Sequence, residues 1–491
     1  MKSVKQLLCV CLAAVLLTVG LPLWAASVPS ESCGCGVTPR IYVDGFGSEI
    51  YYNQGTPEQT NVPTVVTDDL ARTILLRTLP QLTAAAATRD WDRAADGLGL
   101  IFDSLLGHLR CDKEGNSVGP ITARPTLDPA QNHTENPNYT FRYDWRLDPL
   151  TAAEQLHDFI GEVRAATGHE NINLTAVSEG GIVALSYLAL YQTESLESLA
   201  LMISAHGGLT MVGELFNRNL ALDAQRVTDY LAQTDDGGLL TALLDVLQQS
   251  GLMQPVLSLA VDIISHCKDR LFDNTLLPLL GQMPAIWAFV PPEYYDDARA
   301  SMFGGKKGYD VLLEKIDRYH DLVGSRSTQL LRDAAASGLK IGVIACYGMA
   351  AIPAIPGADY QSDSLIDTAR SSGGATVARH YQTLPESNSP YRSPDGIIDA
   401  ATCALPDQTW FVRGNSHDAG PMMAWRDWLF AADEPVTIRS DPRFPQYFLR
   451  TADGVVPMAP GTPPETLRTE DLCGALQNFC GAVLRSVGIA K

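Results

Sequence analysis

Two periodicities of apolar residues alternate along this chain, and their order predicts its secondary structure. Stretches with apolar residues three or four positions apart predict helices at 68–108, 150–166 and 181–191. Short apolar runs rich in β-branched residues predict strands between them, at 40–43, 139–145, 172–177, 199–205, 340–348, 393–399 and 409–413. Strands that alternate with helices form mostly parallel sheets covered by helices on both faces. The sequence therefore predicts an α/β fold.

One long segment, residues 211–338, departs from this alternation and has only helical spacing. Its apolar stretches and the aromatic residues beyond them fit a helical cap over an apolar pocket, or a helical subdomain that only packs on the sheet. The predicted organisation is a leader at 1–26, a first core part at 27–210, the cap at 211–338, a second core part at 339–430 and a C-terminal extension at 431–491. The extension is expected to end in a helix at 467–487.

The N-terminus has the layout of a secretory signal peptide. Lys2 and Lys5 precede an apolar run at 7–26, which ends in the small residues Ala25 and Ala26. Export is therefore expected, with a secreted or extracytoplasmic mature chain. An uncleaved anchor is the alternative, since the run is nearly long enough to span a bilayer.

Charge excludes several classes of partner. The 36 Lys and Arg residues stand against 56 Asp and Glu residues, giving a formal net charge of −20 and a pI near 4.8. Such a chain repels nucleic-acid phosphates and anionic membrane surfaces. No nucleic-acid partner is expected, and any contact with lipid would be transient and apolar. The sequence carries no signal for an oligomeric state.

Eight of the ten cysteines lie beyond the predicted leader. An even number in an exported protein predicts structural disulfides. Cys473 and Cys480 would lie about 10 Å apart on one helix, too far to bridge each other, so each needs another partner, with Cys33 and Cys35 as candidates. Zinc at the C-G-C stretch is the competing interpretation. No CxxC motif or histidine cluster accompanies it in sequence, so no metal site is predicted.

The stretch A-V-S-E-G-G at 176–181 is the strongest catalytic candidate. It lies between the predicted strand 172–177 and the predicted helix 181–191. A nucleophilic serine on a strand-to-helix elbow needs small residues two positions before and after it, and here these are Ala176 and Gly180. The motif alone occurs by chance in many chains. Its position between a buried strand and an apolar helix favours Ser178 as a nucleophile.

A serine nucleophile needs an imidazole that accepts its proton. In the α/β-hydrolase arrangement the order along the chain is serine, acid, histidine, each after a parallel strand. His417 follows the last predicted strand, 409–413, and is the predicted base. His206, which follows another predicted strand, is the alternative and is expected to line the pocket.

The sequence offers several candidates for the carboxylate that orients this base. Asp395, in P-D-G-I-I, combines a turn with a following apolar pair and is the preferred acid. Asp399 and Asp407 remain open. Asp453 is rejected because no histidine follows it in the chain.

Two backbone amides are needed to bind the oxyanion, one after the serine and one from the first turn of the sheet. These are the amides of Glu179 and Phe46. The glycines on either side of Phe46 also fit an ordinary tight turn.

Three longer stretches carry a family resemblance: Y-D-W-R-L-D-P at 143–149, M-P-A-I-W-A-F-V-P-P-E-Y-Y at 283–295 and V-I-A-C-Y-G-M at 343–349. With the serine motif, they make residues 38–420 resemble the lecithin:cholesterol acyltransferase and lysosomal phospholipase A2 family of α/β-hydrolases. The resemblance implies a triad of Ser178, Asp395 and His417, with oxyanion amides at Phe46 and Glu179. It also implies acyl-ester substrates, often phospholipids, and an acyl-enzyme.

The sequence therefore predicts an exported serine hydrolase of acyl or lipid esters that needs no cofactor, with acyl transfer as an added activity. The chain departs from the family pattern at Ala176, where glycine is usual, at Asp44, where proline is usual, and at Glu179, which places a carboxylate beside the serine. The departures at Asp44 and Glu179 motivate an alternative. That alternative is a binding or surface protein that has lost catalysis. A serine peptidase on the same scaffold is the third hypothesis.

Overall fold

The computed structural model describes residues 33–464, apart from 53–59, 63–77, 79–81, 83, 86, 124–126, 129, 222–225, 227–229 and 231–252. The predicted leader, the predicted helix at 467–487, Cys473 and Cys480 lie outside the described residues. One apolar stretch of the predicted cap, 239–252, also lies outside them.

Eight strands form the central sheet. They are β1 Arg40–Val43, β5 Asn138–Phe141, β6 Ile172–Val177, β7 Leu196–Met202, β8 Lys340–Tyr347, β11 Thr409–Arg413, β12 Tyr447–Thr451 and β13 Gly454–Pro457. Their order in the sheet is β13-β12-β11-β8-β7-β6-β1-β5. All neighbouring pairs are parallel except β12 and β13 at one edge, which are antiparallel. Two small antiparallel sheets contain β2 Tyr51–Tyr52, β3 Thr60–Asn61 and β4 Ile121–Thr122, and β9 Thr376–Val377 with β10 Ile398–Asp399.

Helices connect most of these strands. The α-helices are α1 Trp91–Leu106, α2 Pro149–Thr167, α3 Gly180–Tyr191, α4 Thr210–Phe216, α5 Met253–Leu271, α6 Pro284–Ala288, α7 Pro292–Phe303, α8 Asp310–Leu322, α9 Ser327–Ala336, α10 Thr368–Ser371 and α11 Met423–Ala431. A π-helical stretch, Phe272–Gly281, continues α5. Short 3-10 turns occur at Gly107–Leu109, Gly324–Arg326, Ala400–Thr402, Pro406–Gln408 and Gly420–Met422.

Both faces of the sheet are covered, because successive side chains of a strand point to opposite faces. Leu199 and Leu201 of β7 belong to a core that includes α2, α3 and α9. Ala200 and Met202, which alternate with them, pack into a second core with α11. The predicted α/β class, with a mostly parallel sheet between helices, is confirmed.

The long helical segment connects two strands that are neighbours in the sheet. β7 pairs directly with β8, with Leu201 opposite Val343. The described residues of 211–338 form helices and turns, as their spacing predicts. Helices α6 and α8 of this segment pack against α2 and α3, so the described part of the segment lies mainly on the helical layer of one face.

The sheet also differs from the prediction in its second half. Residues 393–399 give only β10, which pairs with β9 outside the central sheet. The sheet continues instead into β12 and β13, within the stretch predicted as an extension. Burial of Phe448 against the α11 face explains why β12 joins the sheet.

The predicted disulfides are absent among the six described cysteines, which are all unbonded. Cys111, Cys267, Cys346 and Cys403 are buried in different parts of the fold. Cys33 and Cys35 face two histidines instead of other cysteines. Among the described helices, none combines the length and apolar character that crossing a membrane requires.

Candidate active site

Ser178 lies on a sharp turn between β6 and α3. Its φ of 55° is in the left-handed region that residues other than glycine rarely adopt. The turn fits only because its neighbours are small. A Cβ at Gly180 would lie 2.4 Å from the carbonyl oxygen of Val43, and a Cβ at Gly181 would lie 1.7 Å from Oγ of Ser204. The sequence prediction of a strand-to-helix elbow agrees with this geometry.

His417 lies in the loop after β11, and its Nε2 is 2.9 Å from Oγ of Ser178. Asn415 holds this loop in shape, because its side-chain amide donates to the carbonyls of Ser416 at 2.7 Å and Asp418 at 2.9 Å. The structure therefore brings together the predicted nucleophile and the predicted base, which lie 239 positions apart.

The carboxylate beside His417 is that of Asp363. Its Oδ2 lies 2.7 Å from Nδ1 of His417, and its Oδ1 accepts hydrogen bonds from the amides of Leu365 at 3.0 Å and Ile366 at 2.6 Å. The side chain is almost fully buried. Burial lowers the pKa of His417, but the nearby Asp363 carboxylate outweighs this, and the net pKa lies above its ordinary value.

Asp395, the predicted acid, does not lie beside His417, so this prediction is wrong. Its Oδ2 accepts from Tyr347 at 2.9 Å and lies 3.3 Å from Nη1 of Arg413, while its Oδ1 accepts from Ser393 at 2.6 Å. The two open alternatives are also engaged elsewhere, Asp399 with Ser389 and Asp407 with Arg439.

A sequence signal for Asp363 was nevertheless present. The argument for Asp395 was a polar turn followed by an apolar pair, and Asp363 is followed by Leu365 and Ile366 in the same way. Asp363 also follows β8 more closely than Asp395 does. The order serine, acid, histidine holds for either residue, so chain order alone does not choose between them.

The predicted oxyanion turn lies directly against Ser178. A Cβ at Gly45 would be 2.7 Å from Cβ of Ser178. Among the described residues, no protein group accepts a hydrogen bond from the amide of Phe46 or of Glu179. The amide of Glu179 immediately precedes α3, where helix geometry leaves N–H groups unpaired. Both amides are therefore available to a ligand oxygen near Ser178.

The Y-D-W-R segment supports this turn from behind. The Tyr143 hydroxyl donates to the carbonyl of Asp44 at 3.0 Å, and the ring of Trp145 packs against Phe46 with centroids 4.2 Å apart. Arg146, fully buried, forms a two-pronged ion pair with Asp144 at 2.9 and 2.6 Å. The segment thus contacts the turn through one hydrogen bond and one ring contact, and the buried ion pair stabilises the segment itself.

Asp44 contributes to the turn through its side chain. Its Oδ1 accepts a hydrogen bond from the amide of Gly45 at 2.8 Å. The carboxylate therefore caps its own turn, as aspartates at turn starts commonly do.

Glu179 directly follows Ser178 in the sequence and is buried. Its effect on the site depends on whether its carboxyl group is charged. Only 1% of the residue is exposed, and neither carboxyl oxygen has a hydrogen-bond partner in the described part of the chain. Burial, reinforced by the Asp144 carboxylate, raises the pKa of Glu179 well above its ordinary value. Burial thus favours the neutral form of the carboxyl group, which places no negative charge beside the oxyanion position.

A pocket of about 420 Å³ opens in front of Ser178. Its lining combines the carboxylates of Asp44 and Asp418 with apolar side chains. The lining residues are Tyr42, Asp44, Gly45, Phe46, Val177, Ser178, Ile203, His417, Asp418, Ala419, Gly420 and Met423. Phe46 is half-exposed at this pocket, and its ring lies 6.3 Å from that of Phe289 in the long helical segment.

His206, the alternative base, is not among the residues that line this pocket. It is buried, with Nδ1 3.0 Å from Oγ of Ser204. Burial lowers its pKa to about 4, so the ring is neutral at physiological pH. The expectation that it lines the pocket is therefore wrong, and its place is in the core.

Comparisons with known proteins add little to this geometry. No family model matches the chain, and no curated protein sequence matches it. A chain in the crystal structure of the Tle4-Tli4 complex is similar to it at 13% sequence identity and a TM-score of 0.24. The similarity covers 63% of this chain and 75% of that chain. At this level it carries no argument about activity, which has to come from the residues themselves.

Proposed function

We propose that the chain is a serine hydrolase of carboxylic esters, with Ser178 as nucleophile, His417 as base and Asp363 as the orienting acid. The observation that carries the proposal is a continuous hydrogen-bond chain. Oγ of Ser178 lies 2.9 Å from Nε2 of His417, and Nδ1 of the same ring lies 2.7 Å from the Asp363 carboxylate. This is the geometry in which a serine hydroxyl becomes nucleophilic.

In the proposed reaction, His417 removes the hydroxyl proton as Oγ of Ser178 attacks the ester carbonyl carbon. The carbonyl oxygen becomes an oxyanion that the amides of Phe46 and Glu179 bind. Protonated His417 then gives its proton to the leaving alcohol, and an acyl-serine remains. Water, activated by the same imidazole, releases the acid, or a second alcohol takes the acyl group.

Asp363 acts through His417 rather than on the substrate. It holds the ring so that Nδ1 carries the proton and Nε2 faces Ser178, and it stabilises the imidazolium that forms. Two backbone amides fix one oxygen of the Asp363 carboxylate, which leaves the other oxygen directed at the ring.

The substrate class rests on two observations. The pocket at Ser178 has room for a small ester, and half-exposed Phe46 provides an apolar surface beside it. The resemblance of residues 38–420 to a family that acts on acyl esters, often phospholipids, points the same way. We therefore include lipid esters among the substrates, with a transient apolar contact at Phe46, and we place the enzyme outside the cytoplasm on the basis of its N-terminal apolar run.

Loss of catalysis, the main alternative, was motivated by Glu179 and Asp44. The buried, neutral Glu179 and the Asp44 carboxylate bound to the amide of Gly45 remove the specific objections to an active site. No feature of the pocket favours peptides over esters, so the peptidase hypothesis is left to a direct comparison of substrates.

The decisive experiment combines turnover with covalent labelling. The full chain is expected to hydrolyse chromogenic esters and to react with a fluorophosphonate at Ser178. Ser178→Ala should abolish both, a loss of more than about 10³-fold in kcat/KM. Ser265→Ala, which changes an exposed serine on α5, is the matched control and should retain both activities.

A folded wild-type protein that neither labels nor turns over any ester would overturn the proposal in favour of a binding protein. Faster cleavage of peptides than of esters carrying the same acyl group would favour the peptidase. Retained activity in Ser178→Ala would remove the serine from the mechanism.

A further inference from the structure

Two cysteines and two histidines meet at the end of the sheet where β1, β5 and β6 begin, opposite the end that carries the proposed active site. Nε2 of His133 lies 3.6 Å from Sγ of Cys33 and 3.3 Å from Sγ of Cys35. Nε2 of His169 lies 3.4 Å from Sγ of Cys35. The four ligand atoms lie within 4.8 Å of one another. From these contacts we propose a structural zinc site with the ligand set Cys33, Cys35, His133 and His169.

The separations match the edges of a zinc tetrahedron. With Zn–S bonds near 2.3 Å and Zn–N bonds near 2.05 Å, tetrahedral angles place sulfur and nitrogen ~3.5 Å apart. The three measured sulfur–nitrogen separations, 3.3, 3.4 and 3.6 Å, bracket this value. Both histidines present the same ring nitrogen, and the two rings stand nearly perpendicular, at 80°. Two imidazoles can therefore approach one ion from different directions.

The fold explains why these residues converge. The ligands lie in the three segments that lead into β1, β5 and β6, which are neighbours in the sheet. Arg40 of β1 pairs with Asn138 of β5 and with Asn173 of β6, so the three segments enter the sheet side by side. The amide of Cys33 also donates to the carbonyl of Gly168 at 3.0 Å, which places the first ligand segment beside the last.

A four-ligand Cys2His2 set leaves no open coordination position, which is typical of structural rather than catalytic zinc. Binding would displace two thiol protons, so the ion and the two thiolates together carry no net charge. The site would fasten the segment before β1 to the two loops before β5 and β6. Ser178 lies at the carboxyl end of β6, so the zinc site takes no part in ester hydrolysis.

The sequence alone predicts no metal site, because no CxxC motif or histidine cluster lies near the C-G-C stretch in the chain. Here Cys33 and Cys35 are about a hundred positions from His133 and further from His169. Only the parallel arrangement of the three strands brings them together. The spacing of ligands in the sequence therefore could not reveal the two histidines that face the C-G-C stretch.

The test is the zinc content and cobalt spectrum of the full chain without an added histidine tag, kept reduced with a phosphine. We expect one zinc ion per chain after dialysis. Substitution by Co²⁺ should give the sulfur-to-cobalt charge-transfer band and the visible bands of a tetrahedral site with two thiolates. Cys33→Ser/Cys35→Ser and His133→Ala/His169→Ala should reduce bound zinc at least tenfold.

Two further variants separate metal loss from general damage. Cys267→Ser/His266→Gln changes another cysteine and histidine outside the cluster and should retain one zinc per chain. Cys33→His keeps a zinc ligand and should also retain the ion, with a cobalt spectrum of one thiolate. If the serine variants do not fold, cobalt titration of the wild-type chain decides alone.

Reduced wild-type chain that takes up no zinc or cobalt at micromolar concentration overturns the proposal. Unchanged zinc content in both double variants overturns it as well, since the ion would then lie elsewhere. Ester turnover per folded molecule should be the same with and without the ion, so this result is independent of the proposed function.

Discussion

The Asp363 carboxylate lies 2.7 Å from Nδ1 of His417, on the ring edge away from Ser178. Asp363→Asn preserves the size of the side chain and removes its charge. It is expected to lower kcat about 10⁴-fold, because the imidazole loses the group that holds its tautomer and stabilises its charged form. Steady-state hydrolysis of one chromogenic ester, with thermal unfolding measured in parallel, checks this.

Asp395→Asn is the matched control, since it makes the same change in the carboxylate that the sequence favoured. Asp395 pairs with Arg413 and Tyr347, so its loss should lower the free energy of unfolding by about 1–3 kcal/mol. Its kcat per folded molecule should stay within about threefold of the wild type. The reverse pattern, with Asp395→Asn inactive and Asp363→Asn active, would restore Asp395 as the acid.

The pH dependence of hydrolysis should report His417. Its pKa is raised above the ordinary value of 6.5, and only the neutral ring accepts the proton of Ser178. The value of kcat/KM should therefore rise with pH along a limb centred above 6.5. In Asp363→Asn that limb should move to lower pH, because the charge that raises the pKa is gone. An unchanged limb would assign the titration to another group.

The free energy of unfolding should also depend on the titration of His417, but it should fall over the pH range in which kcat/KM rises. Because the folded-state pKa of His417 is raised, its ion pair with Asp363 contributes fully below the unfolded pKa of about 6.5. That contribution is lost as the pH rises through the folded pKa. Unfolding free energies of wild type and Asp363→Asn should differ most below pH 6 and converge as the pH rises.

Glu179 offers a test of whether a neutral carboxyl group is needed beside Ser178. Glu179→Gln replaces a protonated carboxyl with a neutral amide of similar size, so kcat should change by less than about threefold. Because the folded-state pKa of Glu179 is raised, wild type loses about 1.4 kcal/mol per pH unit above the unfolded pKa until the folded pKa is reached. The glutamine variant should escape this loss, so its unfolding temperature relative to that of the wild type should increase as the pH rises above the unfolded pKa of glutamate.

The control for that series is Glu154→Gln, an exposed glutamate on α2. It should leave the pH dependence of stability nearly unchanged. A large drop in kcat for Glu179→Gln, with stability intact, would show that the carboxyl group itself takes part in the reaction.

The hydrogen bond from Tyr143 to the carbonyl of Asp44 should matter for rate more than for binding. Tyr143→Phe removes this bond and loosens the turn that carries the Phe46 amide. We expect kcat to fall about tenfold with KM within about twofold, because the oxyanion is bound only in the transition state.

Tyr187→Phe provides a matched comparison. Its hydroxyl donates to the carbonyl of Glu194 at 2.7 Å, another tyrosine-to-backbone bond, but on α3 away from the pocket. Both variants should lose about 1 kcal/mol of stability, and only Tyr143→Phe should lose kcat. Equal kcat in the two variants would mean that the oxyanion turn keeps its position without Tyr143.

Local patterns in the sequence predicted much of the fold and part of the site. The runs at 172–177 and 409–413 are strands with the predicted bounds, since each is rich in apolar and β-branched residues and almost entirely buried. Ser178 and His417 could be placed because each follows such a strand closely. Strand β12 was not predicted because it lies within a proline-rich stretch, a composition typical of loops.

The acid and the cysteine–histidine cluster could not be chosen from the sequence for a different reason. Several aspartates follow β8 in polar loops of similar composition, and which one reaches His417 depends on how those loops fold back. The partners of Cys33 and Cys35 depend on which strands become neighbours in the sheet. Both are long-range properties that no local periodicity encodes.

The direct pairing of β7 with β8 has a consequence for how this protein can change. Residues 203–339 leave the sheet and return to it at adjacent strands, so their number does not enter the register of any strand. Amino acids can therefore be gained or lost in the turns of this segment without shifting the strands that carry Ser178 and lead to Asp363 and His417, whereas residues beside the serine, such as Ile203, stay constrained. The length of the segment that packs beside Phe46 through Phe289 can thus change while the hydrogen-bonded residues remain in place.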